Sequence, residues 1–543
     1  MKKGPAVYGL HHYRNARRLS FSVCACIILF FGELLLFPPR NEGDRAERPV
    51  VKQIEKEKGM RTLFLNPPAY ENFDGGAGSR YQATREVWSF WYPTWLCYPA
   101  GMVKDSRVLD APPEKLNQAQ TVAIAKEYDF VVLHTSTPSF KMDVRTAEMI
   151  KSENPHCVIA FVGGHATAVP EHTLKASEAV DIAACKEFDF SMKEVAEGWD
   201  WSKILGISYR KDGKIYHNLD RAPLTSEELD SLPFVTQIYD RDLDFRKYNS
   251  PYCQYPYVSL YTGRGCPARC TFCLWPQVTT GHSYRTRSAD SVIEEVKEMR
   301  HLFPGMKEVF FDDDTFTADP KRAREIAQKL KPLGLCWSTN SRANVDYETL
   351  KVMKDGGLRL FVIGYESGNA QILKNIKKGV ALETARRFTK DCHKLGILIH
   401  GTFILGLPGE TRETIQETMR FAKEMSPETI QVSLASPYPG TAFYDYAIEH
   451  GYIKPEDMVD ETGYQKCVIN YPNLSGEEIF AAVEKFYTSY YLRPRYIFKS
   501  LKKMARDPDE RKRMWQEGKD FFRTMRKRRA MAAKPQVASS PAA

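Results

Sequence analysis

No fourth cysteine follows closely behind Cys266, Cys270 and Cys273, which stand together in GRGCPARCTFC, residues 263–273. That absence argues against a structural zinc site, which normally closes with four Cys or His ligands. The twelve cysteines of the 543-residue chain show no pairing rhythm, which disfavours a disulfide framework and an oxidising compartment. A strong charge of one sign is also lacking. The net charge of +9 is modest, and nothing in the overall balance asks for a nucleic-acid partner. With 43% hydrophobic and 27% charged residues the composition is ordinary for a globular chain, long enough for two or three domains.

The ends of the chain carry the exceptions. Residues 19–37, LSFSVCACIILFFGELLLF, form an apolar run of near-spanning length behind Arg14, Arg17 and Arg18. Taken literally this is an anchor that leaves the following domain outside, which conflicts with a thiol-rich interior. Glu33 interrupts the run, a charged stretch follows, and Met60 opens MRTLFLNPP as a natural first strand. The expectation is a start codon assigned too early, with residues 1–59 absent or unstructured; a membrane anchor is the other reading. At the far end, residues 511–534 concentrate basic residues around Trp515, Phe521, Phe522 and Met525. That pattern suits a basic amphipathic helix on an anionic membrane surface, or equally a solvated helix with a disordered tail.

Between the ends, two α/β rhythms stand out. Residues 60–205 carry RTLFLNPP, DFVVLHTSTPSF and CVIAFVGGHAT, apolar β-branched runs separated by helical segments. Such runs imply a parallel sheet covered on both faces, with ligands at the carboxyl ends of its strands. The loops there hold Asn66, Ser136, Gly163, Gly164 and His165. Residues 206–250 read as a linker containing a hairpin about Lys211-Asp212-Gly213. Residues 251–445 hold six strand candidates in series, at 257–263, 308–314, 335–342, 359–367, 397–406 and 429–438. Six βα units imply an incomplete (β/α) barrel with its site at the C-terminal strand ends. Residues 446–543 read as a helical C-terminal region.

The three cysteines fall in the loop after the first barrel strand. Three thiolates can hold three corners of a [4Fe–4S] cluster and leave one iron open for chemistry. The other readings at this point are a zinc site completed by His282 and three unrelated thiols.

CPARCTFC resembles the CxxxCxxC signature of the radical S-adenosylmethionine (SAM) superfamily, and the likeness continues along the barrel. It implies a [4Fe–4S] cluster on Cys266, Cys270 and Cys273, with SAM on the open iron and reductive cleavage to a 5′-deoxyadenosyl radical. FFDDDTF resembles the family's SAM-amine contact, pointing to Asp313 and Asp314; each could instead merely cap a helix. GYESG points to Glu366, ILGLPGE to an adenine segment with Ile404 and Gly406, and Arg342 is a further carboxylate candidate. The first domain, through NPP, TSTPS, VGGHATAVPE and CKEFDF, resembles the cobalamin-binding domain of B12-dependent radical SAM proteins. The likeness puts Asn66, Ser136, Gly163, Gly164 and His165 toward cobalamin. The DxHxxG motif whose His ligates cobalt in other B12 proteins is missing. Cobalamin would then bind base-off without a protein His, or the domain is a relic; His165 reads more simply as a buried loop histidine.

From Met60 to about residue 500 the chain resembles the J type of hopanoid-biosynthesis-associated radical SAM proteins. That resemblance implies ring contraction of a glucosaminyl hopanoid headgroup to a cyclitol ether. The aromatic residues at 88–98 would suit a sugar or lipid wall, or plain core packing. The implied partners are a lipid-linked hopanoid and an electron donor such as flavodoxin or ferredoxin, with cytoplasmic placement and peripheral membrane contact. Two rival functions stay open, a cobalamin-dependent radical methyltransferase and a non-enzymatic Fe–S or zinc protein.

Overall fold

The computed structural model describes residues 59–68, 89–454, 458–459 and 466–506, with the separate positions Arg511, Trp515, Gly518, Lys519 and Arg526. The expectations for residues 1–58, and for most of the basic tail, lie outside the described residues. Among the described residues no helix is long and apolar enough to cross a membrane.

The first domain is built on a seven-stranded sheet: β1 (Thr62–Asn66), β2 (Ser106–Asp110), β3 (Phe130–His134), β4 (Val158–Val162), β5 (Ile182–Ala184), β6 (Ile207–Lys211) and β7 (Lys214–His217). Their spatial order is β2-β1-β3-β4-β5-β6-β7, parallel through β5 and antiparallel beyond it. TLFLN and FVVLH are buried at every residue, the signature of central strands with both faces covered. A Rossmann-like parallel layer is thus present as expected. The hairpin foreseen in the linker is present too, but it extends this sheet as β6 and β7 rather than standing apart from it. The helix α1 (Thr94–Met102) packs on the same layer, and Leu96, Cys97, Tyr98 and Ala100 join the core.

The second domain opens with β8 (Tyr257–Leu260) and a two-residue pair, β9 (Gly263–Arg264) with β10 (Arg285–Thr286). Then come the helix α2 (Ala289–Leu302) and β11 (Glu308–Phe311), β12 (Trp337–Ser341), β13 (Leu358–Glu366), β14 (Leu398–Leu405) and β15 (Thr429–Leu434). The six long strands are parallel in the order β8-β11-β12-β13-β14-β15 and do not close. This is the partial (β/α)6 barrel, and all six strand candidates are realised.

An open barrel leaves β15 with unpaired backbone groups, which must be satisfied or shielded. The helix α3 (Gly476–Tyr491) does this with tyrosine hydroxyls. Tyr487 accepts from the Val432 N–H at 2.8 Å and Tyr491 from the Ile430 N–H at 2.8 Å. Tyr490 donates to the Pro427 carbonyl. A last helix, α4 (Pro494–Arg506), follows directly.

Candidate active site

The cysteine loop is fixed before its thiols are considered. Gly265 has φ +89° and an added Cβ would lie 2.2 Å from the Ser283 carbonyl oxygen, so only glycine fits there. The Gln277 amide donates to the carbonyls of Cys270, Thr271 and Cys273 at 3.1, 3.1 and 2.7 Å. Nδ1 of His282 lies 3.2 Å from the Cys266 carbonyl and 2.8 Å from that of Ala268, and with two acceptors it must carry the proton. His282 thus clamps the loop through Nδ1.

Cys266, Cys270 and Cys273 line one cavity of about 740 Å³. Among the described residues no three His, Cys, Asp or Glu side chains close around a single ion. Burial pushes the Cys270 thiol up, and the charges of Lys378 and Arg342 pull it back. Burial also raises Cys273, and Asp314 adds to the effect.

The three aspartates after β11 take three different tasks. Asp312 accepts from the Asn340 amide at 2.8 Å. Asp313 is fully buried and accepts from the Thr262 N–H and hydroxyl, both at 2.6 Å, and from the Tyr284 hydroxyl at 2.8 Å. It ties β8 to β11 and does not line the cavity, which corrects its expected place beside SAM: its acceptor capacity is spent inside the fold. Asp314 does line the cavity.

Arg342, Glu366 and Ile404 line it as well. Gly406 does not; its N–H bonds Glu410 and its carbonyl accepts from Tyr471, so it serves the turn after β14. Glu366 sits at φ +64° at the end of β13, where its carboxylate meets Lys378 Nζ at 2.7 Å with both side chains buried. A Cβ on Gly364 would lie 2.2 Å from Glu366 Oε1 and 2.9 Å from Lys378 Nζ, so the glycine of GYES leaves the room this pair occupies. Burial alone would lower the Lys378 pKa, but the facing Glu366 outweighs it and holds the ammonium above its usual range. Arg342 donates to the Lys378 carbonyl. Sequence reasoning missed Lys378, and nothing in NIKKG distinguishes it from a surface lysine.

The first domain meets this loop through charge. Arg264, immediately before Gly265, is buried and makes a bidentate pair with Asp189 at 2.7 and 3.0 Å. Its guanidinium also lies 4.7 Å over the Trp95 ring and 4.9 Å over Tyr98. Arg285 pairs with Glu187 at 2.6 and 2.9 Å. The CKEFDF segment therefore supplies both carboxylates that seat the cysteine loop. Removing one partner of such a buried pair costs about 3–5 kcal/mol, because the other charge is left stranded.

At the carboxyl ends of the first sheet, Asn66 donates to Asp110 at 2.7 Å, and the Ser136 hydroxyl lies 2.7 Å from that of Ser139. Gly163 takes φ +110°, and a Cβ on Gly164 would lie 2.8 Å from Leu274 Cδ2, the residue after Cys273. His165 stacks on Phe140 at 4.1 Å, its Nε2 is buried without a hydrogen bond, and burial lowers its pKa to about 3. It is the neutral, buried loop histidine of the simpler reading. Both glycines are required by protein neighbours: a Cβ on Gly163 would lie 2.5 Å from the Thr135 carbonyl oxygen, as one on Gly164 would crowd Leu274.

A SAM-sized cavity with three thiols, joined to a Rossmann-like layer, defines a cluster enzyme with a second cofactor domain. Residues 260–422 match the radical SAM superfamily and residues 83–196 the B12 binding domain. An uncharacterized methyltransferase of Pyrococcus horikoshii is 33% identical over 82% of this chain and 95% of its own length. Cytidylyl-2-hydroxyethylphosphonate methyltransferase of Streptomyces wedmorensis is 33% identical over 83% and 93%. Hopanoid C-3 methylase of Methylococcus capsulatus is 28% identical over 54% and 56%. Among solved structures, the cobalamin-dependent SAM radical enzyme OxsB shares the fold with a TM-score of 0.61 at 14% identity, over 85% of this chain and 71% of that one.

The chain belongs to the B12-binding-domain-containing branch of the radical SAM superfamily. It is an enzyme whose cofactors are a [4Fe–4S] cluster, SAM and cobalamin, and neither the relic nor the non-enzymatic reading survives.

Proposed function

We propose that the protein is a cobalamin-dependent radical SAM methyltransferase acting on an apolar or amphiphilic substrate. The observation that carries this reading is the approach of the Gly164 loop to Leu274, which sets the cobalamin domain against the loop that carries the cysteines. When bound, the cluster and SAM supply hydrogen abstraction from an unactivated carbon, and cobalamin supplies the methyl group. Cys266, Cys270 and Cys273 hold the cluster. Lys378 and Arg342 would hold the carboxylate of SAM, and Asp314 and Glu366 would accept from its amino and hydroxyl groups; all four line the cavity. Glu366 keeps Lys378 charged and in place at 2.7 Å. Alongside polar side chains such as Thr402, Gln431 and Ser433, the cavity is lined by Trp91, Tyr252, Phe403, Leu434 and Tyr438. Those side chains favour an apolar substrate and exclude water from the reacting carbon.

The methyltransferases aligned over most of their length support methyl transfer better than the ring contraction implied by the J-type resemblance. A hopanoid as substrate rests on that resemblance and on the hopanoid C-3 methylase relative. Anaerobic reconstitution with iron, sulfide, cobalamin, dithionite and methyl-deuterated SAM tests the proposal, with hopanoids offered as substrate. Methyl transfer places the labelled methyl group in the product, whereas ring contraction adds none. Formation of 5′-deoxyadenosine with an unlabelled, rearranged product would overturn methyl transfer.

A further inference from the structure

The helix α4 joins the cavity to the molecular surface in a way that catalysis at the cysteine loop does not require. Tyr496, Ile497, Ser500, Leu501 and Met504 line the cavity, and their spacing places them along one face of the helix. The same helix is open to solvent: Leu492 just before it is 51% exposed, Ile497 43%, Phe498 71% and Leu501 59%. Residues 494–506 contain five lysines and arginines and no acidic residue. Farther on, Trp515 is 62% exposed with Lys519 over its ring at 5.6 Å. Exposed apolar side chains interleaved with positive charge are the makings of a helix that lies in a lipid interface.

We infer that α4 is a membrane-docking element that seats the cavity rim on an anionic bilayer, so that an amphiphilic lipid enters the active site without crossing water. The occupant is an anionic lipid surface because the charge of the helix is wholly positive and its apolar residues surround the rim. This deepens the proposed function, on whose apolar cavity it rests, by naming the substrate class as a membrane lipid. It also moves the contact from residues 511–534, where the sequence pattern suggested it, to the helix that walls the cavity.

The test is co-sedimentation of the reconstituted full-length enzyme with vesicles of phosphatidylglycerol and phosphatidylcholine, or of phosphatidylcholine alone. The wild type is expected to pellet with the anionic vesicles at low salt and to release as salt rises. The double variant Phe498→Glu/Lys502→Glu changes two exposed side chains that do not line the cavity. It should lose binding at least about tenfold. SAM cleavage without lipid should be unchanged, which reports an intact fold and cluster. A second full-length variant, Lys527→Glu/Arg528→Glu/Arg529→Glu, should retain most of the binding. Equal binding of wild type and the helix variant would overturn the inference, as would equal binding to neutral vesicles. Loss of binding only in the second variant, or a change in self-association in place of vesicle binding, would overturn it too. Because sedimentation needs no turnover, these outcomes stand whatever the methyl-labelling experiment shows.

Discussion

The two sheets of this chain face a shared problem with different chemistry at their carboxyl ends. Around β1, β3 and β4 the loops offer glycine, serine and buried amides whose polar groups are largely satisfied within the domain, as with Asn66–Asp110 and Ser136–Ser139. Around β8, β11, β12 and β13 the loops aim thiols and full charges into an open cavity: Cys270, Asp314, Arg342, Glu366 and Lys378. The first arrangement suits a large cofactor gripped by shape and backbone. The second suits a small, highly charged one gripped by side chains. The difference also sets how each half fails: the barrel through single residues, the cobalamin domain through the sum of its packing.

The sharpest break in that comparison is at the cysteines. Cys270→Ala should abolish both the iron–sulfur absorbance and the formation of 5′-deoxyadenosine, since two thiolates do not hold a cluster that needs three. Cys336→Ala, a change outside the cavity, should leave both intact. Anaerobic reconstitution with iron quantification reads the outcome. Turnover retained by Cys270→Ala would sink the cluster assignment.

Next in size is Lys378. Replacing it with Met leaves the Glu366 carboxylate buried without its partner, a loss of about 3–5 kcal/mol for such a pair. That loss is one of stability; SAM affinity should fall too, by about tenfold or more for a charged contact contributing about 1.4 kcal/mol to binding. Cluster absorbance should be unaffected, and Lys378→Arg should recover part of the binding. Equilibrium binding of SAM to the reconstituted enzyme would refute the assignment if the Met variant matched the wild type.

What the sequence displayed of all this follows the range of the interactions. Most of the six barrel strands were legible as apolar runs between helical segments, β12 (WSTNS) by its place in the series, and the thiols because their spacing is local. β2 and β5 were not: SRVLD is polar at its start, and β5 has only three residues. The hairpin was legible, but its pairing with β5 was not, because that choice depends on the folded sheet. Lys378 meets Glu366 from beyond the short helix Ala370–Asn375, and Asp189 meets Arg264 across 75 residues. Asp313 and Asp314 are adjacent acids in one motif, and only the fold decides that one braces strands while the other faces the cavity.

The smallest effect distinguishes the domains by pH. Burial lowers His134 to about 4 and His165 to about 3, so both stay neutral in the folded chain while the unfolded chain protonates them near 6.5. The unfolded state binds more protons in that window, so their contribution to stability is lost as pH falls below about 6.5. Asp143, which accepts from the hydroxyls of Thr135 and Ser139 at 2.7 Å each, is raised by burial to about 7. It works in the opposite sense: the folded state holds the proton that the unfolded state releases near 4, so stability is lost as pH rises toward 7. In the barrel, burial raises Glu410 to about 7. Asp143→Asn keeps an acceptor for both hydroxyls and removes the titration. Relative to wild type it should therefore gain apparent stability at pH 7 over pH 5, on the order of 1–2 kcal/mol given about 1.4 kcal/mol per shifted unit and partial solvent relief. Glu410→Gln should show the same sign. Urea unfolding of both variants at pH 5, 6 and 7 measures this, and curves that run parallel to wild type would mean that Asp143 is already ionised in the folded protein.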